Sequence, residues 1–136
     1  MGSLVGSRVE RKEDKRFLTG KGRYTSDINI INQTYAVFVR SPHARAKIKK
    51  VNFSKASKAP GVVSVLTGSD IVNDKIGGLI AGWKIVSEDG TDMKVPAHPP
   101  LASDTVNYVG DHVAVVIAES LDEARAAANL VEVDYK

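Results

Sequence analysis

Val113-Ala114-Val115-Val116-Ile117-Ala118, followed by Glu119-Ser120-Leu121-Asp122-Glu123, decides how this 136-residue chain is read. Six successive apolar residues, most of them β-branched, leave neither face polar. That is the pattern of a strand buried on both sides. Ser120 and Glu123 then have the spacing of a capping box, each satisfying an amide at a helix start. Leu121, Ala124, Ala128 and Val131 supply the apolar stripe of that helix. Residues 131–135 alternate and read as a closing strand. Upstream, Gly110-Asp111 marks a turn and residues 106–109 a short strand.

Residues 34–40, Thr-Tyr-Ala-Val-Phe-Val-Arg, form the next clear strand. Tyr35, Val37 and Val39 share one face; Ala36 and Phe38 share the other. Both faces are apolar, which predicts a central strand. Ser41-Pro42 ends it, because proline cannot donate to a ladder. Residues 44–53 alternate imperfectly. A bulge near Lys49-Lys50 would bring Ala44, Ala46, Ile48, Val51 and Phe53 onto one face. Residues 54–59 read as a short helical turn with Ser54 as cap, stopped by Pro60-Gly61. Residues 62–66 are a strand, and Gly68-Ser69-Asp70 opens a short helix to about Asn73.

Between these elements lies a Gly/Pro-rich segment, residues 74–101, which holds the single tryptophan, Trp83. Its length is that of loops used for interaction, and Asp89-Gly90 could turn a small hairpin over residues 85–95. The first 25 residues are charged and aperiodic and read as an extended arm, leaving residues 26–136 as one domain. The fold class expected is α+β, a mixed sheet with one main C-terminal helix and short helical turns.

Composition narrows the function classes. The net charge is +3, the aromatic content 6%, and no basic run is uninterrupted, so nucleic acid is not expected as a partner. With no cysteine, the chain cannot form disulfides or thiolate-ligated metal centres. The longest strongly apolar run, residues 113–118, is far too short to cross a bilayer. No membrane partner and a cytoplasmic location are the default expectations.

Motifs of chemistry are weak. Gly20-Lys21-Gly22 invites a phosphate loop, but no helix follows and the remaining glycines of either nucleotide fingerprint are missing. His43, His98 and His112 lack metal-ligand spacing. Glu119, Asp122 and Glu123 are explained by helix capping and the helix dipole. Arg40, His43 and Arg45 bracket Pro42 and could form an anion pocket, but charged residues at a strand end account for them. No residue is assigned as catalytic, cofactor-binding or metal-binding.

Four segments in order are more specific: residues 6–24, containing Arg-Phe-Leu-Thr-Gly-Lys-Gly-Arg-Tyr; 38–46, Phe-Val-Arg-Ser-Pro-His-Ala-Arg-Ala; 59–68, Ala-Pro-Gly-Val-Val-Ser-Val-Leu-Thr-Gly; and 108–119, Tyr-Val-Gly-Asp-His-Val-Ala-Val-Val-Ile-Ala-Glu. Together they resemble the start of the molybdopterin-binding large subunit of the xanthine dehydrogenase / aldehyde oxidase family. The first segment is most like aerobic carbon monoxide dehydrogenase large chains. The resemblance implies an α/β hammerhead fold. It implies an intact enzyme that hydroxylates carbon or oxidises carbon monoxide at a molybdenum–pterin centre, with iron–sulfur and flavin partners. His112 stands where the family often has proline. The family's pterin loops and catalytic glutamate match no position here. The expectation is therefore a fragment or split subunit that packs against molybdenum-cofactor domains, is inactive alone, binds no cofactor itself and self-associates through its exposed interface. The alternative is a free-standing interaction or scaffold module, with Trp83 as contact residue. The plainer reading is that Trp83 closes its loop over the core.

Overall fold

The computed structural model describes residues 5, 6, 8, 11–83 and 85–136. It divides into two compact units, residues 1–33 and 34–136.

In the first unit, helix α1 (Asp14–Leu18) is short. Gly20 stops it in the left-handed region, at φ 68°. The Lys21 amide reaches back to the Arg16 carbonyl at 2.9 Å and the Gly20 amide to the Phe17 carbonyl at 3.1 Å. This is the paired bonding of a Schellman stop, in which glycine avoids the Cβ penalty. The Phe17 and Tyr24 rings stack at 5.6 Å across the turn. A single 3-10 turn (Thr25–Asp27) follows, with the Tyr24 amide donating to the Asp27 carboxylate at 2.9 Å.

The second unit holds two three-stranded sheets. One runs β1 (Tyr35–Arg40), β5 (His112–Ala118), β3 (Val62–Thr67). The other runs β4 (Thr105–Val106), β2 (Ala46–Asn52), β6 (Glu132–Tyr135). Every pairing is antiparallel, so the strands expected in one mixed sheet are shared between two antiparallel ones. Helix α2 (Gly68–Asn73) follows β3 directly, and α3 (Leu121–Ala128) packs on the β1–β5–β3 sheet.

β5 is the spine. Val113, Ala114, Val116 and Ala118 are fully buried. Its side chains feed three clusters: Val116 with Ala56, Val65 and Ala127 under α3; Val115 with Ile71 and Leu101; Val113 with Ala102 and Val106 toward the second sheet. Continuous apolarity is needed because both faces are covered.

The bulge expected in β2 is present. Ile48 pairs with Tyr135 but Lys50 with Asp134, so Lys49 is the extra residue. Ala46, Ile48 and Val51 thereby pack together against the second-sheet cluster. The set is smaller than expected, since Ala44 is exposed before the strand and Phe53 packs on the α3 cluster.

Other expectations are corrected. β1 is an edge strand, not a central one, and its Ala36, Phe38 and Arg40 face outward. The strand expected over residues 106–109 is only Thr105–Val106, because residues 108–110 turn. The 3-10 turn Ala56–Lys58 has no side-chain cap, so Ser54 does not act as one. At α3, the Ser120 hydroxyl accepts the Glu123 amide at 3.2 Å, half of the expected box. The Glu123 carboxylate takes the Ser120 hydroxyl at 2.7 Å. α2 has a full box that the sequence reading passed over. Asp70 accepts both the Thr67 amide (2.7 Å) and the Thr67 hydroxyl (2.8 Å). These two bonds hold the Asp70 carboxyl below its ordinary value.

Candidate interaction surface

The residues that invited a chemical reading do not converge. His43 lies edge-on to Tyr135 at 4.8 Å, His112 stacks on Phe38 at 4.5 Å, and His98 meets Tyr108. Among the described residues no group of three or more histidines and acids is placed to hold a metal. Arg40 donates to the Gly110 carbonyl at 3.1 Å, His43 is turned to Tyr135, and Arg45 is exposed, so no anion pocket forms from the three. Glu123 serves the α3 cap and Asp122 pairs with Arg125 at 3.8 Å.

Gly20-Lys21-Gly22 follows a helix rather than preceding one. The end of α1 offers carbonyls, the wrong polarity for a phosphate, which needs the amide end.

A cleft of about 370 Å³ opens between the Pro-rich end of segment 74–101 and the 107–111 turn, lined by Ala97, His98, Pro99, Asn107, Tyr108 and Asp111. His98 Nε2 lies 3.3 Å from the Tyr108 hydroxyl. Asp111 is buried, and its carboxylate accepts the Asn107 amide at 2.9 Å. Desolvation, then the Asp111 charge and hydrogen bond, push the Tyr108 phenol above its ordinary value; Arg40 opposes them weakly. The phenol therefore stays protonated at neutral pH, a donor rather than a base. Asp111 is committed to the turn it closes. The same turn is tied to the end of β1, where the Ser41 amide donates to the Asp111 carbonyl and the Gly110 amide to Ser41, both at 2.8 Å. Nothing in the cleft pairs a nucleophile with a free base.

This donor set does not fit a pterin cofactor that carries phosphate. The cleft's buried charge is negative, and the one glycine loop that drew attention presents carbonyls. No residue described here is assigned to such a group.

The other side of segment 74–101 is apolar and open. The hairpin expected near residues 85–95 is present as one bridge, Val86 to Asp92, with Met93 bonded to Ile85 at 3.0 Å and Gly90 turning at φ 81°. Trp83 is 80% exposed and does not close its loop over the core. Leu79, Ile80, Ile85, Val86 and Val95 are exposed with it. Sequence reading flagged the tryptophan and missed the others. The available signal was large apolar residues spaced among glycines and prolines, where no core strand or helix claims them.

Residues 19–136 match the family model described as aldehyde oxidase and xanthine dehydrogenase, a/b hammerhead domain. The chain is 42% identical over 134 residues to the nicotine 6-hydroxylase large subunit of Paenarthrobacter nicotinovorans, covering 98% of this chain and 16% of that one. It superposes on quinoline 2-oxidoreductase from Pseudomonas putida 86 with a TM-score of 0.82 at 34% identity, over 96% of this chain and 16% of that one. It superposes on a Cu,Mo-CO dehydrogenase with a TM-score of 0.75 at 35% identity, over 96% of this chain and 15% of that one. The chain thus spans about 15–16% of the proteins it matches. With a match running through both sheets and α3, the chain belongs to the α/β hammerhead domain family of aldehyde oxidase and xanthine dehydrogenase.

Proposed function

We propose that this chain acts as an accessory domain of a molybdenum hydroxylase large subunit. It contributes wall and scaffold, packs against the cofactor-bearing domains, and carries out no oxidation alone. The observation that supports this most is the match of 96–98% of the chain to only 15–16% of enzymes named as hydroxylases, oxidoreductases and dehydrogenases. The oxidised substrate, the molybdenum centre, and the iron–sulfur and flavin acceptors belong to that larger assembly in this reading. We place the assembly in the cytoplasm.

The test is an assay of the purified 136-residue chain with a dye acceptor and carbon monoxide, an aldehyde or an N-heteroaromatic substrate, together with its metal content. The expected outcome is no dye reduction and no bound molybdenum. Substrate-dependent dye reduction by the isolated chain overturns the proposal. A second reading, a free-standing interaction module, draws on the exposure of Trp83. It predicts a stable complex with a protein that carries no molybdenum.

A further inference from the structure

Six large apolar residues among the described positions of the 79–95 stretch are turned to water. Ile80 is 92% exposed, Trp83 80% and Leu79 62%, while Ile85, Val86 and Val95 are each more than half exposed. None belongs to the three buried clusters. Isolated exposed apolar residues need no explanation, but a set that lines one groove, as Leu79, Ile80 and Val95 do, marks a contact surface.

The surface is built rather than loose. The Leu79 amide donates to the His98 carbonyl at 2.8 Å, fixing the two ends of the segment together. Gly78 lies so close to the His98 backbone that a Cβ would sit 3.0 Å from its carbonyl oxygen. At the far end the Asp89 carboxylate holds the Thr91 amide (3.0 Å) and hydroxyl (2.7 Å), and the Ser87 amide reaches the Thr91 carbonyl at 2.9 Å. Between these fixed points runs an open groove of about 450 Å³, lined by Leu79, Ile80, Ala81, Met93, Val95 and Pro96. A two-stranded hairpin with one bridge is marginal alone, so its apolar side chains gain most from a partner that covers them.

We propose that this groove, with the exposed Trp83 two residues beyond its Ala81 rim, docks on an apolar segment of the remaining large chain, the part that makes up about 84% of the relatives' length. The proposal rests on the accessory-domain reading above and adds the surface through which the domain is held. An exposed tryptophan close in sequence to an apolar groove is the kind of residue that anchors interfaces. A partner within the same chain meets the groove at high effective concentration, which suits a hairpin that is weak by itself. A second copy is the poorer occupant. A separate molecule meets the groove without the gain in effective concentration that a tethered segment has.

The test compares oxidative footprinting of Trp83 in the 136-residue chain and in the molybdenum-containing subunit purified from native cells, with peptides resolved by mass. Oxidation is expected to be slower in the assembled subunit by on the order of tenfold and independent of concentration in the isolated chain. Equal rates in a subunit that holds molybdenum overturn the docking proposal and leave the accessory-domain reading standing. Protection that grows with the concentration of the isolated chain assigns the face to a second copy and overturns it too. If native cells yield no longer subunit containing this domain, the accessory-domain reading fails and takes the proposal with it. As a second measurement, Trp83→Lys with Ile80→Glu is expected to lower the melting midpoint of the assembled subunit and leave that of the 136-residue chain unchanged. Unchanged midpoints in both overturn the proposal.

Discussion

Gly68 opens α2 against the chain that leads into β4. A Cβ there would collide with the Ala102 carbonyl and the Ser103 Cα, both backbone and both unable to swing aside. Gly68→Ala is therefore expected to cost about 1–3 kcal/mol, the range of an overpacked site. Gly77→Ala meets open space and should stay within about 0.5 kcal/mol; urea midpoints of the two variants check the contrast. Two residues on, Asp70 couples this helix to acidity. Its folded carboxyl is held below the ordinary value by the Thr67 hydroxyl and amide. The stabilisation is complete above the unfolded carboxyl's pKa and is lost as the pH falls through the folded one, below about pH 4. In urea titrations, Asp70→Asn should lie below the parent at pH 7, with the gap narrowing at pH 3. An undiminished gap at pH 3 would show that the charge is not what Thr67 holds. Thr67-x-x-Asp70 has the same spacing as Ser120-x-x-Glu123, but it was missed because the helix start was read at Gly68-Ser69-Asp70. That the α3 box is only half formed was not legible, because a hydroxyl that points to a carboxylate or away from it has the same sequence.

At the scale of elements, β2 makes a sharper prediction. Lys49 is the extra residue between pairs Ile48–Tyr135 and Lys50–Asp134. Deleting Lys49 leaves Ile48 and Val51 on their present face and regularises the strand. Deleting Lys47 instead turns Ala46 from the inner face to solvent, since a one-residue slip exchanges the faces. The Lys49 deletion is expected to fold with a loss of about 1 kcal/mol or less, and the Lys47 deletion to lose at least about 2 kcal/mol; thermal unfolding of the pair measures the order. The bulge was readable because Ile48 and Val51 break a period of two within a single short strand. The edge position of β1 was not. Ala36 and Phe38 are apolar, yet what covers a face is decided by other segments, and here Phe38 stays 42% exposed against His112. The same limit applied to the 106–109 strand, where alternation ran on but Asp111 drew the Asn107 amide into a turn.

For the whole molecule, charge and compactness divide at the same place. Residues 1–33 carry seven basic and four acidic side chains, so they account for the chain's formal +3, and residues 34–136 balance to zero. Residues 34–136 expressed alone are expected to keep a single cooperative unfolding transition, since both sheets and all three clusters lie within them. Their solubility should be lowest near neutral pH, where the net charge vanishes. Chain-release measurements by circular dichroism and turbidity across pH test both halves. Stopping the chain at residue 111 should abolish cooperative folding, because β1 and β3 meet only through β5. The α+β class was legible from pattern, and the family from four ordered segments. The contact face was only partly so, since it is made of residues that look like ordinary core candidates until a fold leaves them uncovered.

The placement of β5 between β1 and β3 also sets a timetable. Tyr35 waits for Ala118, and Ile48 for Tyr135. On the ribosome, β1, β2 and β3 emerge before β5 and β6, with which they pair along most of their length, so the nascent chain exposes unpaired edges through most of its own translation. Non-local pairings of this kind form slowly and late. Holdase chaperones should therefore meet this domain while β1, β2 and β3 are outside the exit tunnel, and be released when residues 132–135 clear it.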